Sequence, residues 1–354
     1  MLEAAAEKKG QELSGRVPGR GATAERVYAQ ERRAARSLHG LALLFFCALA
    51  VFAAIARAAG DSFFLRLATE ALIFGGLAVS ADILLGFAGL LSLGQALYFG
   101  LGAYASALVM KDVLPSFWLA LAASAGTGLL AGLLGGLIAS RVRGVYFALI
   151  TFGLAQVVAK VIYNTRELGA SDGIIGIPII QVPVGFATVE ANSPAGFFLV
   201  VLVAAMLLYA ALSFLAGTPF GRLLAALRIN QSRLPFLGWP AGPIKLAAFV
   251  TAAAIASVAG GLYPMLRGFV SPELMYFEMS TNAIIAAVIG GTGTLIGPLL
   301  GAVLLVFGKS VIGTFTEYHQ IVIGALFMAA VLFFPRGLAG VVKAQFGGPK
   351  KDAV

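Results

Sequence analysis

The chain of 354 residues is 60% hydrophobic and only 12% charged, where an ordinary soluble domain is about a quarter charged, and this excludes a soluble globular protein. The net charge of +9 comes from basic residues in short loops and at the termini, not from one solvated face, so nucleic acid is not the implied partner. A single cysteine, Cys47, and two histidines at opposite ends, His39 and His319, exclude a disulfide framework within the chain and leave no Cys/His metal centre.

Residues 1–37 hold eight Lys/Arg, five Glu and glycine-rich stretches, the composition of a solvated, disordered basic tail. No apolar run begins before Leu38, which argues against a cleaved signal peptide. From there apolar runs follow at about 38–56, 67–88, 92–110, 116–140, 144–163, 195–216, 245–266, 279–292, 297–313 and 320–335. Crossing about 30 Å of hydrocarbon takes roughly 20 apolar residues, and these runs are continuous, without the alternation of a barrel strand. The expected fold is an all-α polytopic bundle of about ten transmembrane or partly re-entrant segments in the lipid bilayer. Gly and Pro interrupt the runs near 86–110 and 279–313, the places for half-helices.

With both termini in the cytoplasm, 18 of the 25 Lys/Arg fall on that side, as the positive-inside rule requires. Two connections are too long for turns. That over 164–195 falls outside and carries Glu167, Asp172 and Glu190; that over 217–245 falls inside and carries Arg222, Arg228, Arg233 and Lys245 without an acid. A transmembrane domain thus spans 38–340, and 341–354 form a second cytoplasmic tail.

The run "GLLSLGQALYFGLGAYASALV" (89–109) is rich in residues that weaken a helix. Apolar side chains gain little from one another in lipid, so helices there associate through small residues. Ser92, Ala96 and Gly100 recur every four residues, as do Gly102 and Ser106. Gly128, Gly132 and Gly136 form one ladder; Gly293, Gly297 and Gly301 form another. Packing accounts for the glycines but not for Gln95, Tyr98 and Tyr104, which either bond to neighbouring helices or line a polar path, with Ser92 and Asp82 beside them. Glu70 and Asp82, twelve residues apart, lie within ~20° on one helix face and about 18 Å apart along it. An intramembrane carboxylate marks a functional site, an interfacial group or a neutral acid bonded to a neighbour.

No P-loop, H-E-x-x-H or G-x-S-x-G is present, so no enzyme is implied, and if the chain serves active transport the energy must enter from another chain. A self-sufficient, ion-coupled carrier of a small amino acid or of an amide such as urea is the alternative, with only Asp82 and Glu70 as coupling groups.

Together, "GFAGLLSLGQALYFGLGAYASALV" (86–109), "GVYFALITFGLAQVV", "SDGIIGIP", "GRLLAALRIN", "VIGGTGTLIGPLLGA" and "LFFPRGLAG" resemble, in order, the permease subunits of branched-chain amino acid ABC importers, the LivM-type proteins, over residues 67–340. The resemblance implies an inner-membrane half-channel that pairs with a second, similar permease, two cytoplasmic ATPases that bind the ATP, and a periplasmic solute-binding protein, with no cofactor on this chain. It implies that the inner loop couples to an ATPase through Arg222, Arg228, Asn230 and Gly238. Ile229 and Gln231 stand where the family has acids, and Asp82 where it commonly has Asn. Pro235 ends any helix there, so "GRLLAALRIN" is expected as a short amphipathic helix followed by turns.

Overall fold

The computed structural model describes residues 20–178, 181–184, 187–190, 193–315, 321, 324, 325, 328 and 337–340, with side chains from Ser37 onward except at 181–190 and 315. The expected run at 320–335 and the tail at 341–354 fall mostly or wholly outside these residues. The architecture is an α-helical bundle with two small antiparallel strand pairs.

Helix α1 (Arg20–Ala58) begins earlier than its apolar run. Residues 20–37, expected as disordered tail, are helical. Ala, Glu and Arg dominate "RGATAERVYAQERRAARS" and are good helix formers, and a helix already nucleated in the apolar segment extends at little cost. Helix α2 (Ser62–Asp82) starts where the Asp61 carboxylate accepts the amides of Phe63 and Phe64, at 3.1 and 3.4 Å, and continues as a π-helical turn over Ile83–Ala88. A break follows. Helix α3 (Gln95–Leu108) then rises and ends in a second π turn, Val109–Val113.

Next come α4 (Phe117–Ala139), α5 (Val145–Asn164), α6 (Pro194–Gly217), the short α7 (Pro219–Ile229), α8 (Ala241–Arg267), α9 (Phe277–Gly290) and α10 (Ile296–Phe315). Between α5 and α6, β1 (Ile174–Ile175) pairs with β4 (Phe269–Val270), and β2 (Gln181–Val184) with β3 (Ala187–Glu190). The long acidic connection is thereby tied to the far end of α8.

Among the described residues seven segments are long and apolar enough to cross a membrane: Ser37–Ala58, Ser62–Ala88, Phe117–Ala139, Val145–Asn164, Pro194–Gly217, Ala241–Arg267 and Ile296–Thr314. The expected runs at 92–110 and 279–292 are instead 14-residue helices, α3 and α9, each about 21 Å long and short of the hydrocarbon thickness. Both adjoin the glycine-bearing breaks that the sequence marks.

The centre of the bundle is α2, buried almost continuously from Ala68 to Leu84 and enclosed by α6, α8, α9 and α10. The outer faces of α1, α4, α5 and α6 present large apolar side chains such as Leu44, Leu130, Val157 and Leu207, the surface a bilayer would cover. The small-residue seam forms between α3, α4 and α8. The Ser124 hydroxyl donates to the Gly102 carbonyl at 2.9 Å, Ser257 to the Ser124 carbonyl at 2.6 Å, and Ser106 to the Gly261 carbonyl at 2.8 Å. A Cβ at Gly102, Gly128 or Gly260 would run into the backbone or Ser257 of the facing helix. In hydrocarbon such serine-to-carbonyl bonds are how polar groups are satisfied while backbones approach.

Candidate translocation core and coupling element

Most of the expected packing glycines lie against a neighbouring element, but not all serve as a helix stripe. The ladder on α4 lies on α8: Gly128 meets Ser257, Gly132 meets Ala253 and Gly136 meets Leu246 and Phe249. Gly100 faces Met275. The second ladder is not one helix stripe. Gly301 packs on Ala286 and Gly297 on Gly290, whereas Gly293 lies in the break between α9 and α10, at φ +74°. Leu295, at φ +61°, is a non-glycine residue in the same left-handed region, where a Cβ is strained. A four-residue spacing cannot distinguish a stripe from a turn when glycines serve both.

The five residues singled out for a polar path are all buried, and they divide among different neighbours. Ser92 lies in the break before α3, where its hydroxyl accepts from Gln95 Nε2 at 3.3 Å. The other end of that amide, Gln95 Oε1, has no partner among the described residues, and neither do the hydroxyls of Tyr98 and Tyr104. The Tyr98 ring stands edge-on to Phe249, centroids 5.5 Å apart, with its hydroxyl against Gly135 of α4. Tyr104 lies six residues further along α3, on the helix flank that faces Tyr276. Unsatisfied buried polar atoms are uncommon and costly, and three fall within ten residues of one short helix.

Asp82 occupies a different place. Its carboxylate is fully buried and both oxygens accept from one backbone amide, Gly293 N–H, at 2.9 and 3.0 Å. Gly86 makes this possible, because a Cβ there would collide with the Asp82 carboxylate and Gly293. The π turn leaves the Gly86 carbonyl outside the helical ladder, and the Arg228 guanidinium of α7 donates to it while approaching Asp82. One arginine therefore touches the break after α2, and through Asp82 the break after α9. Glu70, one helix face up from Asp82, is ion-paired with Arg267 at the end of α8. The two carboxylates lie on one helix but meet different partners.

The basic connection is built as expected: α7 is the short amphipathic helix, two tight turns cover Gln231–Arg233 and Pro235–Leu237, and Gly238 closes them at φ +80°. The Asn230 side chain accepts the Ser232 amide at 3.0 Å and so shapes the turn. Arg222 is exposed. Sequence reasoning missed the apolar groups: Ile229, Phe236, Leu237 and Trp239 are 83, 91, 70 and 52% exposed. Four large apolar side chains within eleven residues of a basic loop, at an end of the bundle away from the lipid-facing stripes, are the available signal.

Broken helices about a packed centre, with seven segments long and apolar enough to cross a membrane among the described residues and a pinned amphipathic element at one end, define a multi-pass helical membrane protein. The chain belongs to the family described as the permease component of branched-chain amino acid transport systems, whose sequence model matches residues 63–331. It is 31% identical over 299 residues to the high-affinity branched-chain amino acid transport system permease protein LivM of Salmonella typhimurium, covering 79% of this chain and 70% of that one, and 29% identical with the same coverage to LivM of Escherichia coli. Similarity to BraD of Pseudomonas aeruginosa, 30% over 146 residues, covers 40% of this chain and 47% of the relative. No solved structure matches.

Proposed function

We propose that this chain is the membrane permease subunit of an ATP-driven importer that moves a small polar solute, first of all branched-chain or related amino acids, from periplasm to cytoplasm. The end bearing α7 faces the cytoplasm in this reading, in keeping with the charge bias, and the end bearing β1 and β4 faces the binding protein. A second, similar permease completes the channel, and two ATPases carry the nucleotide. The observation that carries the proposal is the position of α7 and the turns after it: Ile229 at the end of α7 and Phe236 in the following turn are exposed to a partner, while Arg228 of α7 reaches inward to Gly86. An ATPase that moves α7 thereby moves both breaks. Family membership favours this over an ion-coupled carrier.

The test is uptake of radiolabelled L-leucine into proteoliposomes holding the whole assembly. Uptake that requires ATP and the binding protein, and falls at least tenfold in the double variant Ile229→Ser/Phe236→Ser with the permease still folded, supports the proposal. Concentrative uptake by this chain alone, without nucleotide, refutes it.

A further inference from the structure

A cavity of ≈ 330 Å³ lies between α2, α3, α8, α9 and α10, separate from the Gln95–Tyr98 region and from Asp82. Its walls are largely apolar, with Ile73, Phe99 and Val306 among them, and five side chains with polar groups line it: Glu70, Tyr263, Asn282, Lys309 and Ser310. That volume is near the lower end of the range for small-molecule sites, about 300–1,000 Å³, and an apolar cleft with a few placed polar groups is their usual composition. The charges are of opposite sign. Glu70 is braced by Arg267, which leaves carboxylate lone pairs for another donor. Lys309 has Glu278 nearby. Among the described residues the side chains of Asn282, Lys309 and Ser310 make no hydrogen bond, so their polar atoms remain available.

We infer that this cavity is a binding site for a zwitterionic α-amino acid with an aliphatic side chain, the ammonium group on Glu70, the carboxylate on Lys309 and the side chain against Ile73 and Phe99. A cation would meet the like charge of Lys309 in the cavity wall, and an anion that of Glu70; a zwitterion meets an opposite charge at each end. The site rests on the import reading above, and it lies toward the end of the bundle where α8 finishes at Arg267, the end assigned there to solute delivery. It makes the permease a participant in selection, which the import reading by itself does not require.

L-Leucine is the probe. Binding of the tritiated amino acid to the purified assembly without its binding protein is competed by 3-methylbutylamine, which lacks the carboxylate, and by 4-methylpentanoate, which lacks the ammonium. L-Leucine is expected to bind saturably and to outcompete both. Glu70→Gln weakens it about tenfold or more, as losing a hydrogen bond to a charged group does, and abolishes its advantage over 4-methylpentanoate. Lys309→Met abolishes its advantage over 3-methylbutylamine. Should Glu70→Gln unfold the chain, Ser310→Cys in a Cys47→Ser background reads the same site: L-leucine slows labelling by a small thiol reagent at least fivefold. Absence of binding to the wild type, unchanged affinity in both charge variants, or labelling indifferent to L-leucine overturns the site. ATP-driven uptake by the same assembly separates the two readings, since uptake that persists while the cavity ignores L-leucine refutes the site alone, and absence of ATP-driven uptake refutes the import function.

Discussion

Replacing Asp82 tests why a carboxyl group sits in the centre of the bundle. In Asp82→Ala the Gly293 amide loses the side-chain acceptor it has among the described residues, and the Arg228 guanidinium loses the nearby carboxylate. An unpaired buried donor costs about 1–3 kcal/mol, and the lost side-chain volume adds to this. Asp82→Asn retains an oxygen for the Gly293 amide in nearly the same shape, so it is expected to cost less than half as much as alanine. Thermal unfolding of detergent-purified protein, followed by size-exclusion fluorescence, measures the difference as a fall of several degrees for alanine and a smaller one for asparagine. Gly86→Ala, which puts a methyl group between Asp82 and Gly293, should resemble Asp82→Ala. Equal stability of alanine and wild type, or asparagine as damaging as alanine, refutes the hydrogen-bond account. Loss of transport in Asp82→Asn at full stability would instead give the negative charge its own role.

Tyr98→Phe removes a hydroxyl that has no partner among the described residues, so its unfolding temperature should equal or exceed that of the wild type; a fall in uptake at unchanged stability assigns the hydroxyl to transport. Gln95→Ala should likewise lower uptake while expression and assembly persist, and loss of the folded protein would assign Gln95 to structure. Gly128→Leu drives a side chain into Ser257 and the α8 backbone, with overpacking of about 1–3 kcal/mol or more, read as lost yield of folded protein; an equal yield would refute the close α4–α8 contact. Arg228→Ala should reduce ATP-driven uptake severalfold while ATPase subunits still co-purify. Retained coupling would remove α7 from the transmission path.

Hydropathy marked every long membrane helix in the described residues, because burial in lipid is a property of composition over about 20 residues and needs no partner. The two short helices were also legible as trouble: glycines near 89–94 and 291–295 mark where a helix breaks. Whether such a glycine packs or turns was not legible from the four-residue spacing, since Gly293 and Gly301 belong to one ladder, yet Gly293 turns at positive φ and Gly301 is helical. Composition alone also read residues 20–37 as coil, although their individual helix propensities are high.

The candidate site divides in the same way. Intramembrane Asp82, Gln95 and Tyr98 announce themselves one residue at a time, because a polar group costs free energy in hydrocarbon wherever it points. What each group meets depends on contacts across great sequence distance: Asp82 with Gly293, Arg228 with Gly86, and Glu70 with Arg267. Lys309 and Asn282 drew no notice along the chain and gain meaning only when α9 and α10 fold back beside α2. Membrane insertion is therefore written in local hydrophobicity, while the placement of charge against charge inside the bundle is decided only by which helices pack together.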